Sequence, residues 1–147
     1  MNGEKIYLAP FYLISAALVG VGDTFFLSYY QYFNKVPSCA IGGCETVLTS
    51  VYSKFIGVPL SYLGLLFYAY MLCLAALLAY DPESKGLRIA AVLYTGFALL
   101  LSLIFEFYIQ LGLIGALCLY CAISALTTLA LFSVSVWHFR SSSTSRT

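Results

Sequence analysis

Val58-Pro-Leu-Ser-Tyr-Leu-Gly-Leu-Leu-Phe-Tyr-Ala-Tyr-Met-Leu-Cys-Leu-Ala-Ala-Leu-Leu-Ala-Tyr80 runs without one charged side chain. A helix needs about 20 mainly apolar residues to cross the hydrocarbon of a bilayer, and this stretch supplies them. Three more stretches read the same way: Ile6 to about Phe33, Leu87 to about Leu111, and Leu113 to Trp137. Backbone groups in lipid must be satisfied internally, so each is expected to be a helix, and the alternation of a transmembrane barrel is absent. The composition agrees, because 62% of the 147 residues are hydrophobic and 9% charged. Soluble domains run closer to half apolar and a quarter charged. The net charge of +1 gives no electrostatic argument for nucleic acid.

The expected fold is therefore an all-α membrane protein, a four-transmembrane-helix bundle over residues 1–140, with a polar, disordered cytoplasmic tail from Ser141 to Thr147. Phe25, Phe26, Tyr29, Tyr30, Tyr32 and Phe33 crowd the end of the first span like an interfacial aromatic belt. That span is too long for a cleaved signal peptide, its basic region is one lysine beside Glu4, and it is expected to be retained.

Four spans put both termini and the middle connection on one side of the membrane. Lys5, Lys85, Arg88, Arg140 and Arg146 lie there, against Lys35 and Lys54 on the other side. The positive-inside rule makes the first side cytoplasmic. By parity the loop bearing Cys39 and Cys44 and the start of span four, with Cys118 and Cys121, share the extracytoplasmic side, where disulfides persist.

Cys118-Leu-Tyr-Cys121 sets two thiols on one helix face near a helix N-terminus, where the dipole and the partner thiol favour a thiolate. The same spacing also serves half a zinc site or two small core residues. The first loop, Pro37-Ser-Cys39-Ala-Ile-Gly-Gly-Cys44, adds a second pair, and its glycines let the two cysteines meet. Val47, Leu48, Val51, Tyr52 and Phe55 then recur at helical spacing before Gly57 and Pro59. This predicts a short amphipathic surface helix from Glu45 to Ile56 that caps the bundle and holds Cys44 at its start. A mobile pair beside a fixed pair suits thiol–disulfide exchange, whereas a closed four-cysteine zinc site needs no delivery loop. Cys73, at mid-span, reads as a buried apolar cysteine.

A dithiol at membrane depth, with no haem or flavin motif, needs an acceptor reachable from lipid, and a quinone fits. Phe67, Tyr68, Phe105, Phe107, Tyr108 and Tyr120 are candidate pocket walls near Cys121. Asp23 and Glu106 are acids inside apolar spans. Each is a candidate proton relay, or an anchor bonded to Thr24, Tyr108 or Gln110. His138, following Trp137, reads as a residue of the cytoplasmic interface.

From about Leu8 to Leu131 the chain resembles the vitamin K epoxide reductase family, particularly its prokaryotic members that oxidise partner thiols. The resemblance rests on Cys39 and Cys44, on Ser50 six residues on, on Gly57-Val58-Pro59 with Gly64 and Tyr68, and on Cys118-Leu-Tyr-Cys121. The DsbB family, which also uses four helices and two pairs, has the reverse order. The resemblance implies that Cys39 exchanges with a DsbA-like thioredoxin-fold partner, Cys44 passes electrons to Cys118, and Cys121 reduces the quinone, ubiquinone or menaquinone. It implies Ser50 near the quinone head group beside Cys121, and Tyr68 and Glu106, the aromatic and acidic candidates above, are the other expected quinone-side residues. Ala122-Ile-Ser-Ala125 replaces the Thr-Thr-Tyr-Ala of the vertebrate enzymes, which argues against epoxide reduction. The Cys39–Cys44 loop is one residue shorter than in many bacterial members. No thioredoxin domain follows span four, so a separate partner is expected. The resulting expectation is a membrane thiol oxidoreductase with a quinone acceptor and no metal, placed in the inner membrane. The alternatives are a vitamin K epoxide reductase in the vertebrate sense and a non-catalytic four-cysteine metal-binding membrane protein.

Overall fold

The computed structural model describes residues 2–40 and 42–143. Four helices carry the chain: α1 (Asn2–Tyr32), α3 (Leu60–Tyr80), α4 (Lys85–Leu103) and α5 (Leu119–Ser143). Between α1 and α3 lie the short α2 (Cys44–Thr49), a 3₁₀ turn (Val51–Ser53) and a two-stranded hairpin, β1 (Lys54–Phe55) with β2 (Val58–Pro59). A π-helical segment, Ile104–Ile114, continues α4 without a break.

All four long helices are apolar enough to cross a membrane: Tyr7–Tyr32, Leu60–Tyr80, Lys85–Ile114 and Leu119–Ser141. Protein covers 33% of the apolar window in the first and only 11% in the third. So much exposed hydrocarbon side chain is stable in lipid and not in water. The expected tail from Ser141 begins inside α5, and beyond Ser143 it lies outside the described residues.

Helices α1 and α5 form the centre, with α3 packed on α1 and α4 packed on α5. Small residues let the α1–α3 seam close, as membrane interfaces require in the absence of a hydrophobic drive between helices. The ring of Tyr68 lies directly on Gly20, leaving no room for a Cβ, and Thr24 crowds Gly64 in the reciprocal sense. Leu13, Ala17, Met71, Leu74, Ala75, Leu78, Ala91 and Leu131 complete the core around Tyr68.

Two expectations are corrected. The capping helix stops at Thr49 instead of running to Ile56. Ser50 takes an extended conformation, and its hydroxyl donates to the Val47 carbonyl (2.7 Å). Ser53 repeats the move on the Ser50 carbonyl (2.8 Å), and such local bonds compete with helix propagation. Ile56 (φ 53) and Gly57 (φ 83) then make a two-residue turn with both φ positive, the geometry that closes a tight hairpin. Cys73 is exposed on the outer face of α3, across from Met71, Leu74, Ala75 and Leu78, and so faces lipid and not the core. His138, expected at the interface, is enclosed by protein there. It is 2% exposed, beside Arg88, which ties the α3–α4 turn by donating to the Glu83 and Ser84 carbonyls.

Candidate active site

Both cysteine pairs lie at one end of the bundle. Cys39 and Cys44 are joined by a disulfide across a Cα–Cα distance of 5.8 Å, and Cys118 and Cys121 are free thiols. Cys44, Val47 and Cys118 form one fully enclosed cluster, with Cys39, Leu48, Phe105, Ile114, Tyr120 and Cys121 packed against it. The helix α2 does cap the bundle mouth, although it is short. Gly43 precedes it and rests against the Leu117 backbone so closely that a Cβ would overlap the Leu117 carbonyl. The loop also touches α5 directly, since the Tyr120 hydroxyl donates to the Ser38 carbonyl (3.4 Å).

The position of Cys118 follows from how the third span ends. Gly115 adopts the left-handed conformation (φ 70) and stops the π-helical segment. The backbone N–H groups of Gly115 and Ala116 both donate to the Gln110 carbonyl. The chain then reverses, and the Cys118 carbonyl accepts the Ala122 N–H (3.0 Å), which makes Cys118 the N-cap of α5. Its sulfur lies near the Cys121 thiol and the Tyr120 and Cys121 N–H groups, which favour its anion. A capping side chain normally receives those N–H groups, and here the side chain at that position is a thiol. These neighbours, the Cys121 thiol first among them, hold the Cys118 thiol below its ordinary pKa, against the opposing pull of burial and of the Glu106 charge. Cys118 is thus the more nucleophilic sulfur of its pair.

The Cys118 N–H is also fixed, donating to Gln110 Oε1 (2.8 Å), while Gln110 Nε2 donates to Glu106 Oε2 (2.9 Å). Glu106 is therefore anchored by Gln110, one of the partners its sequence position suggested. Its other oxygen, Oε1, is buried and unpartnered, as is Asp23 Oδ2. Both acids lie within electrostatic reach of Cys121.

The remaining predicted residues divide. Tyr68 is 1% exposed, and its hydroxyl bonds Ser124 O (2.7 Å), Ser124 Oγ (2.9 Å) and Thr128 Oγ1 (3.0 Å). Ser124 lies three residues beyond Cys121 on α5, so the Tyr68 hydroxyl sits about one turn deeper than that thiol. Tyr120 packs on Phe26 with ring centroids 5.4 Å apart. Phe67 stacks on Tyr94, and Phe107 and Tyr108 point outward at 62% and 66% exposure, away from any shared pocket. Ser50 is half-buried, its proton committed to Val47. No residue pattern signals the π-helical segment. The double grip of Gln110 on the reversal was also missed, although two buried polar residues four apart in an apolar helix are a signal that could have found it.

The Vitamin K epoxide reductase family description matches residues 11–136, most of the chain and every residue of the site. The chain belongs to the vitamin K epoxide reductase family. It is also 33% identical over 121 residues to a protein of Arabidopsis thaliana named Thiol-disulfide oxidoreductase LTO1. That match covers 78% of this chain and 32% of the relative, so the chain spans about a third of the relative's length. Family membership accords with the helical bundle.

Among the described residues, no group of three or more His, Cys, Asp or Glu is arranged to hold a metal ion.

Proposed function

We propose that this protein is a membrane thiol oxidoreductase that reoxidises a DsbA-like thioredoxin-fold protein on the extracytoplasmic side and passes the electrons to a quinone. The observation that carries the reading is that Cys44 and Cys118 are buried in one cluster with Val47, one sulfur in a disulfide and the other a free thiol at the start of α5. The relative's printed name, a thiol-disulfide oxidoreductase, supports the same chemistry.

The exchange balances as follows. The partner's dithiol attacks the Cys39–Cys44 disulfide, leaves with its own disulfide formed, and delivers two electrons and two protons to Cys39 and Cys44. The Cys44 thiolate then attacks Cys118 in the Cys118–Cys121 disulfide and expels Cys121. Cys39 next attacks Cys44, which restores the loop disulfide and leaves Cys118 and Cys121 reduced. The Cys118 anion is the better leaving sulfur in that step, because the α5 N-terminus receives it.

A quinone supplies a two-electron acceptor that reaches the site from lipid. The residues beside Cys121 suit such a head group, since the unpartnered oxygens of Glu106 and Asp23 are free to accept the hydroxyls of the reduced product. Cys121, Glu106, Tyr68 and Ser50 are the quinone-side residues of this reading, with Tyr68 forming the floor one turn below Cys121. The excess of basic residues beside the termini and the α3–α4 turn supports a cell-membrane protein with cytoplasmic termini.

Fully reduced protein in detergent, given a water-soluble quinone, is expected to lose all four relay thiols to alkylation. Cys121→Ala is expected to leave Cys39 and Cys44 reduced. Quinone-driven closure of the loop disulfide in Cys121→Ala at the normal rate would sink the proposed order.

A further inference from the structure

Gln110 is completely buried, and all of its polar atoms that face the reversal are in use. Its carbonyl receives Gly115 and Ala116, its side-chain oxygen receives the Cys118 N–H, and its amide N–H donates to Glu106. The amide orientation is settled by chemistry, because an N–H must meet the oxygen and a carboxyl oxygen must meet the NH₂ group. One residue therefore grips both ends of the Gly115–Cys118 reversal from within the π-helical segment, a form that recurs at functional sites. Besides the Gly43–Leu117 contact the connector is lightly covered: Gly115 and Leu117 are exposed and Ala116 is half-buried.

We propose that Gln110 is the positioning residue for exchange between the two pairs. It fixes the Cys118 backbone so that Cys118, and not Cys121, meets the Cys44 thiol, while Glu106 locks the amide in the required orientation. The proposal rests on the relay described above. Neither residue exchanges electrons or forms a bond to sulfur. Glu106 needs only an acceptor oxygen for this work, and a glutamine at 106 keeps one.

The test follows formation of the Cys44–Cys118 mixed disulfide in the Cys39→Ser/Cys121→Ser protein, where the adduct cannot resolve. Oxidation with a small symmetric disulfide starts the reaction, and non-reducing mass analysis reads it. Adding Gln110→Leu is expected to slow adduct formation at least tenfold, and adding Glu106→Leu several-fold. Glu106→Gln, which keeps an acceptor oxygen for the Gln110 amide, is expected to react faster than Glu106→Leu. Circular dichroism and the detergent melting temperature of each variant separate lost positioning from lost fold. Gln110→Met, which keeps the volume without the hydrogen bonds, replaces Gln110→Leu if that variant does not fold. An undiminished rate in the folded Gln110 variant overturns the proposal. A Glu106→Gln rate as low as that of Glu106→Leu overturns the role given to Glu106, since charge and not positioning would then matter. Absence of the adduct in the parent refutes the relay itself, and the proposal with it.

Discussion

Substituting Gly43 by alanine isolates the contact between the two cysteine pairs. Gly43 has ordinary right-handed backbone angles (φ −94, ψ −10), so an alanine there carries no conformational strain. The added methyl instead lands on the Leu117 carbonyl, backbone that cannot rotate aside. Relieving that overlap lifts the start of α2 off the Cys118 connector by about 1 Å, a misplacement that costs on the order of 100-fold in rate for two reacting groups. This corresponds to about 2.7 kcal/mol of barrier. The loop disulfide is untouched, so reaction of the partner with Cys39–Cys44 in a single turnover is expected at its normal rate. Stopped-flow tryptophan fluorescence of the partner measures that step, and the appearance of alkylatable Cys118 and Cys121 measures the inward step. Unchanged inward transfer in Gly43→Ala would refute the claim that the Gly43–Leu117 contact sets the distance between the pairs.

Three other outcomes follow from the same structure. Gly20→Ala drives a methyl into the Tyr68 ring and is expected to cost about 1–3 kcal/mol, read as a lower melting temperature in detergent. Combining it with Tyr68→Leu is expected to be less than additive, because both residues act through one contact. The Cys118 thiol lies below its ordinary pKa, so its anion persists as pH falls and its alkylation rate should be half-maximal below the usual thiol midpoint. Cys121→Ala removes the neighbour that favours the anion most and is expected to move that midpoint up. Cys73→Ala is expected to leave turnover unchanged, since that thiol faces lipid.

The spans were legible because lipid demands long apolar runs, and nothing in the fold contests that demand. The cysteine pairs were equally plain, since parity of four spans places both at one end. What failed was local. Val51, Tyr52 and Phe55 keep helical spacing, yet they stand exposed in a 3₁₀ turn and hairpin. Periodicity could not register that Ser50 and Ser53 divert the backbone bonds, or that Ile56 accepts a positive φ usually left to glycine or asparagine. The end of span three was placed near Leu111, whereas the π-helical turns carry it to Ile114 and Gly115 makes the stop. Depth alone put Cys73 at mid-membrane but could not say which face of α3 it occupies. The quinone-side residues were the least legible, because 17% of the chain is aromatic and most of those rings serve packing or lipid.

Coupled turnover tests the account most directly. Purified protein, a reduced thioredoxin-fold partner and a quinone are mixed, and quinol and partner disulfide are quantified together. One quinol per partner disulfide is expected, with turnover lost on alanine substitution of Cys39, Cys44, Cys118 or Cys121. Partner oxidation without quinol, or quinone reduction by the partner that survives loss of Cys118, would contradict it.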